Sequence, residues 1–220
     1  MDWAPLILSF EVAVVATIVA TVLGVALGVL LSSKRVWGRD LLDAITTAPM
    51  VMPPTVLGYY VLVSLGRNSA IGKGYEALTG SSIVFTRTGA IIAAAIGSLP
   101  LVIKSARAAL EGVDPTLIKA ARTLGATPLR AFFTVHLPLA GKGIIAGLML
   151  AFARALGDFG VTLMVAGDIP GETQTAALAI YDAIQSHREA DAAGMVAILT
   201  SITIVALYGV NKLTGQRDAG

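Results

Sequence analysis

Charged residues along this chain are gathered into short clusters separated by long apolar runs. Residues 12–33, 44–66 and 192–211 carry no Asp, Glu, Lys or Arg, and residues 88–103 form a fourth, shorter uncharged run. A helix needs about 20 apolar residues to cross a hydrocarbon core about 30 Å thick, so the first three runs predict membrane spans. Lys104 and Arg107 can lay their stems toward the interface, which extends the fourth to about Leu110. A fifth span is predicted over roughly Gly143 to Gly167, interrupted by Arg154 and Asp158. The expected fold class is all-α: one polytopic transmembrane domain over residues 1–220 with five membrane helices.

Composition sharpens this picture. Of 220 residues, 55% are hydrophobic and only 14% charged, where a soluble domain carries about a quarter charged. The net charge of +2 is too small to argue for nucleic acid. With no cysteine there is neither a disulfide framework nor a thiolate site. The first apolar run is too long for a cleavable signal and lacks its basic flank, so it reads as a retained membrane helix. Orientation follows the basic residues. With the segment between the spans at 88–110 and 143–167 inside, eleven basic residues fall inside: Lys34, Arg35, Arg39, Lys104, Arg107, Lys119, Arg122, Arg130, Lys142, Lys212 and Arg217. Four fall outside: Arg67, Lys73, Arg87 and Arg188. The N-terminus is therefore expected outside and the C-terminus in the cytoplasm. Two outer loops are expected, residues 67–87 with a short extended piece at SSIVFT, and residues 168–191 with a helix presenting Leu178, Tyr181 and Ile184 on one face.

The inside segment, DPTLIKAARTLGATPLRAFFTVHLP over residues 114–138, has two helix starts. Asp114-Pro115 and Thr127-Pro128 each set a capping side chain before a proline that suits the first turn. Leu117, Ala120, Ala121 and Leu124 recur at helical spacing, Gly125 suits a helix end of positive φ, and Leu129, Phe132 and Phe133 make a second stripe. Pro138 is read as the stop. The pattern alone is equally that of an interfacial hairpin lying on anionic membrane lipid.

The spacing of this segment resembles the coupling motif of ABC-importer permeases: E-A-A, three residues, G, nine residues, I-x-L-P. Here it stands as Lys119-Ala120-Ala121, Gly125, Val135-His136-Leu137-Pro138, with Lys for the family's Glu and Val for its Ile. The likeness extends through PMVMPPTVLGYYVLVSLGR, ALEGVDPTLIKAARTLGA, AFARALGDFG and DIPGETQT, and narrows to the molybdate ABC transporter permeases, whose pattern sulfate and tungstate permeases largely share. Asp158 stands where that family more often has Glu. The resemblance implies a homodimeric permease in a bacterial or archaeal cytoplasmic (inner) membrane. It also implies a dimer of ATP-binding cassette subunits docked on residues 114–138 and a soluble oxyanion-binding protein at the outer face. No cofactor is implied on this chain; ATP and Mg belong to the docked subunit. Lys119, Ala120, Ala121, Gly125, Leu137 and Pro138 would carry the coupling.

Candidate chemistry elsewhere is sparse. The chain has no G-x-x-x-x-G-K-[ST] phosphate loop. His136 and His187 are too separated to suggest a metal site, and no catalytic arrangement of Ser, His and Asp or of paired carboxylates stands out, so no enzymatic activity is expected. Arg154 and Asp158 lie four apart on one helix face, which reads first as a neutralised structural pair; a positive group beside an anion path is the other reading. Pro53 and Pro54 interrupt the span at 44–66 and Pro100 the span at 88–110, as a gate or as simple bundle geometry. Glu11 and Asp43 read as interfacial. Gly24 with Gly28, and Gly143 with Gly147, are small-residue pairs suited to close helix packing. An ion-coupled secondary transporter is the alternative of a different class, but the internal repeat usual in such proteins is not evident.

Overall fold

The structure is a computed structural model, and it describes residues 2–33 and 37–214. All regular elements in those residues are helical: α1 Ala4–Ser32, α2 Arg39–Val51, α3 Pro54–Leu65, α4 Ala70–Thr79, α5 Arg87–Glu111, α6 Pro115–Thr123, α7 Pro128–Ala131, α8 Leu137–Leu156, α9 Gly160–Ala166, α10 Ala176–Gln185 and α11 Glu189–Thr214. Among the described residues, four stretches are long and apolar enough to cross a membrane, and α2 with α3 makes a fifth if that bent pair counts as one span.

The core is a three-helix sheaf of α1, α5 and α8, joined where small residues let backbones approach. At Gly24 a Cβ would sit 2.7 Å from Val102 Cβ, and at Gly28 it would sit 2.8 Å from Ala106 Cβ. Both contacts advance in the same direction, so α1 and α5 run parallel. On the adjoining face of α5, Gly143 faces Ala109 and Gly147 faces Ser105, so α8 runs antiparallel to it. In lipid, where apolar surface gains little by leaving one hydrocarbon for another, such close packing supplies much of the attraction between helices. Ala13, Ala16, Ala90 and Ala94 continue the seam, all nearly inaccessible. Outside the sheaf, α11 lies on α8 and α10 packs on α11 and the start of α1, where Ser9 Oγ accepts the Ala176 N–H at 2.6 Å.

Two expected spans differ in the structure. Residues 44–66 do not form one straight helix: α2 and α3 meet at a bend of 114°. Proline at 53 forces Met52 into an extended conformation (φ −67°, ψ 142°), which ends α2, and Pro54 starts α3 afresh. The span placed over 143–167 instead ends at Leu156, where Gly157 and Asp158 break the helix before α9; its apolar length is recovered upstream, from Pro128.

The two loops expected outside also depart from expectation. The Gly/Ser-rich 67–87 stretch contains α4, its first turn capped by Ser69 Oγ, which accepts the Gly72 N–H at 2.8 Å. SSIVFT is not extended but turns sharply at Phe85 (φ 60°), whose N–H donates to the Val165 carbonyl. Helix α10 is present, yet it buries Ala176, Leu178, Ala179 and Ala183 while Tyr181 and Ile184 face outward.

Candidate functional site

Residues 114–138 form an elbow at the end of the bundle where α5 terminates. Asp114 Oδ1 accepts the Thr116 N–H at 2.8 Å, which starts α6. That amide, with the Thr116 hydroxyl and the charge of Lys119 adding to it, holds the Asp114 carboxyl below its ordinary range. The end of α6 is a paired-bond turn: the Ala126 N–H donates to Ala121 O and the Gly125 N–H to Arg122 O, with Gly125 at φ +88°. The left-handed residue expected at 125 is therefore present, and the alanine pair contributes carbonyls to the turn, Ala120 accepting from Leu124. Thr127 Oγ1 accepts the Arg130 N–H and starts α7.

The expected stop at Pro138 is absent. From Pro128 the chain runs through one wide π turn, Phe132–His136, directly into α8. The Leu137 N–H reaches back five residues to Phe132 O, and Pro138, with no N–H to place, lies in the first turn of α8. The elbow therefore consists of one free helix and the extended foot of a membrane helix.

Two sets of side chains divide this segment. Ile118, Phe132 and Leu137 pack inward against Ala109, Leu110, Val113 and Ala140. Leu117, Leu124, Leu129 and Phe133 point away, and no residue of α6 is fully buried. Lys119, Ala120, Gly125 and Pro138 are exposed, while Ala121 and Leu137 are half-buried. His136, considered in the sequence only as a metal ligand, ties the π turn to α5 by donating from Nε2 to the Leu110 carbonyl at 3.0 Å. Beside it, Asp43 on α2 binds Lys104 Nζ at 2.8 Å and Arg107 at 3.1 Å, and Glu111 binds Arg39 and Arg107. The three pairs that link α2 to α5 had no local signal beyond the charges themselves, whereas Arg107 and Glu111 stand four apart on α5. Lys34, Arg35 and Arg217 of the inside tally lie outside the described residues.

Further up the bundle, the break between α8 and α9 meets the bend between α2 and α3. Gly160 abuts Pro54, and a cavity of about 320 Å³ opens there, with Met50, Met52, Pro54, Gly97, Leu101 and Arg154 in its wall. Asp158 is buried, accepting from Arg154 Nη1 at 2.8 Å and from Thr162. The structure thus brings Pro54, Arg154 and Asp158 together, with Pro53 at the exposed bend. Pro100 is buried within α5 and takes no part in the cavity wall. Among the described residues no group of His, Asp or Glu is arranged to hold a metal ion.

Comparison with known proteins agrees with this architecture. A family described as binding-protein-dependent transport system inner membrane component matches residues 13–213. The molybdenum transport system permease protein ModB of Escherichia coli (strain K12) is 42% identical over 207 residues, 94% of this chain and 90% of that protein. The sulfate transport system permease protein CysT of Salmonella typhimurium (strain LT2) is 31% identical over 211 residues, 94% of this chain and 76% of that protein. Among solved structures, the inward-facing MetNI methionine ABC transporter has a TM-score of 0.73 at 16% identity, covering 95% of this chain and 92% of the other. That likeness is one of fold. The chain belongs to the family of binding-protein-dependent transport system inner membrane components.

Proposed function

We propose that this chain is the membrane permease of an ATP-driven importer for a tetrahedral oxyanion, molybdate foremost, and that its elbow docks on a separate ATP-binding subunit. The observation that carries the reading is the capped, glycine-turned elbow with Leu117, Leu124, Leu129 and Phe133 unpartnered in its own bundle. Apolar side chains presented on a short polar helix beside a wide turn suit insertion into a partner's cleft better than exposure to water. Lys119, Ala120, Ala121, Gly125, Leu137 and Pro138 make up the coupling segment. Lysine in place of the family's glutamate leaves the alanines and the glycine turn as its working parts.

The anion is assigned by likeness: identity is higher to relatives named for molybdenum than to those named for sulfate, and sulfate or tungstate is the alternative cargo. One chain supplies one elbow, so two ATP-binding subunits call for a homodimer. The exposed apolar corner at Met50, Val51 and Pro53 suits a seam between the two copies. With the elbow in the cytoplasm, α4 and α10 face outward, where a soluble binding protein would deliver the anion. ATP binding closes the docked subunits, the elbows follow, and the spans exchange an inward-facing for an outward-facing arrangement; hydrolysis resets them. Each ligand must favour one arrangement over the other for this to count as coupling. ATP and Mg are held by the docked subunit.

Reconstitution into vesicles, with and without the ATP-binding subunit, tests the reading. Oxyanion uptake should require that subunit, the loaded binding protein and ATP together. Uptake driven by a proton or sodium gradient without the ATP-binding subunit would replace it with a secondary-transport mechanism.

A further inference from the structure

The ion pair at the α8–α9 break is unequal in a way that its spacing does not reveal. The Asp158 side chain is 2% exposed and both its oxygens are engaged. Oδ1 accepts from Arg154 Nη1 at 2.8 Å, while Oδ2 accepts the Thr162 N–H at 3.0 Å and the Thr162 Oγ1–H at 2.7 Å. The carboxylate is thus held from behind by the first turn of α9. The Arg154 side chain is 37% exposed, and its bond to Asp158 is its one hydrogen bond among the described residues. A guanidinium has five N–H donors, so most of them have no protein acceptor, on a side chain that lines the cavity. Its other walls are Met, Leu, Pro, Val and Gly, and no second cation lines it. A purely structural pair has no reason to bury one partner fully and leave the other aimed into an open space.

An oxyanion entering this largely apolar cavity would meet the Arg154 guanidinium as its one cationic group. Arginine's planar fork suits the edge of a tetrahedral oxyanion. A lone arginine in such low-dielectric surroundings would hold a dianion too firmly, and conduction requires binding weak enough to release. The carboxylate behind the guanidinium reduces the field that the anion feels without blocking the free donors. We propose that Arg154 contacts the passing divalent oxyanion directly, and that Asp158, pinned by Thr162, lowers the strength of that contact so that the anion is passed on. This inference rests on the reading of the chain as an oxyanion permease.

The test uses the reconstituted complex of permease, ATP-binding subunit and binding protein. Two readouts are taken: ATP-driven molybdate uptake, and retention of radiolabelled molybdate by the permease–ATPase complex without binding protein. ATP-dependent uptake by the unaltered complex is measured first; its absence overturns the oxyanion-permease reading and this inference with it. Given that uptake, Arg154→Gln should lower both retention and maximal uptake at least tenfold. Asp158→Asn should move the two readouts apart, raising retention at least tenfold while slowing uptake several-fold. Thr162→Val, which keeps both charges but loosens the carboxylate, should shift retention the same way by a smaller factor. The double variant Arg154→Gln/Asp158→Asn separates contact from structure, because it removes both charges together. A structural pair predicts recovery of uptake toward that of the unaltered protein; the proposed contact predicts that uptake stays low. Recovery in the double variant, or retention unchanged in Asp158→Asn, would overturn the assignment while leaving the permease reading intact.

Discussion

Valine in place of Gly125 isolates one physical quantity, because a Cβ at this position would meet no atom within 4 Å. Any effect must therefore come from the backbone, which stands at φ +88°. An L-residue in left-handed conformation costs about 1–2 kcal/mol, and a β-branched side chain lies at the upper end of that range. Apart from the half-buried Ile118 and Ala121, α6 is exposed and none of its residues is fully buried, so this strain is relieved by opening the turn rather than by unfolding the spans. A cost of about 2 kcal/mol lowers the bent population, and hence the apparent affinity for the ATP-binding subunit, by up to about 30-fold. Alanine, at about 1 kcal/mol, should lower it by about fivefold. Asparagine, which tolerates the left-handed region, should stay close to glycine. The assay is a titration of purified ATP-binding subunit onto vesicles bearing each variant, with protease protection of the spans as the control for insertion. If Val, Ala and Asn bind alike at the affinity of the unaltered protein, the turn is not what the docking surface requires.

Three further outcomes follow from other contacts. Gly28→Val should destabilise the sheaf, because its Cβ would press on Ala106 Cβ at 2.8 Å and on the backbone of Ile103 and Arg107 at 3.2 Å. Backbone neighbours cannot rotate away, so a loss of about 1–3 kcal/mol is expected; an unchanged thermal midpoint in detergent would contradict the packing account. His136→Ala should leave the ATP-binding subunit docked but lower the anion carried per ATP several-fold, because it cuts the link from the π turn to Leu110 of α5, with His136→Gln partly restoring it; an unchanged ratio would show that this link does not carry the elbow's motion to α5. Asp114 bears on pH: its carboxyl titrates below its ordinary value of 3.8 in the folded protein. Its capping contribution is full above that ordinary value and is lost as pH falls through the lower folded one. Docking should therefore hold steady from about pH 5 to 8 and weaken only in stronger acid, and Asp114→Asn, which caps without titrating, should lose that acid limb.

Much of this protein was legible in the chain because the relevant signals are local. The caps at Asp114 and Thr127, the left-handed glycine at 125 and the apolar lengths of α1, α5 and α11 each depend on a few consecutive residues, so no distant partner was needed to foresee them. The glycine pairs at 24 and 28, and at 143 and 147, announced close packing for the same reason. Local signals could not choose between neighbours. Phe132 and Phe133 stand side by side in one apolar stripe, and only packing against Leu110 and Val113 turns the first inward and leaves the second exposed. Pro138 looked like a stop, but a π turn one step earlier removed the conflict that proline would have caused. Pro53-Pro54 announced an interruption, while the 114° size of the bend depends on α3 packing against α9, about a hundred residues away. The four-residue spacing of Arg154 and Asp158 implied a pair and nothing about its imbalance. That imbalance arises where the break after α8 meets the bend after α2, since burial is a property of assembled elements and not of the helix on which a residue sits.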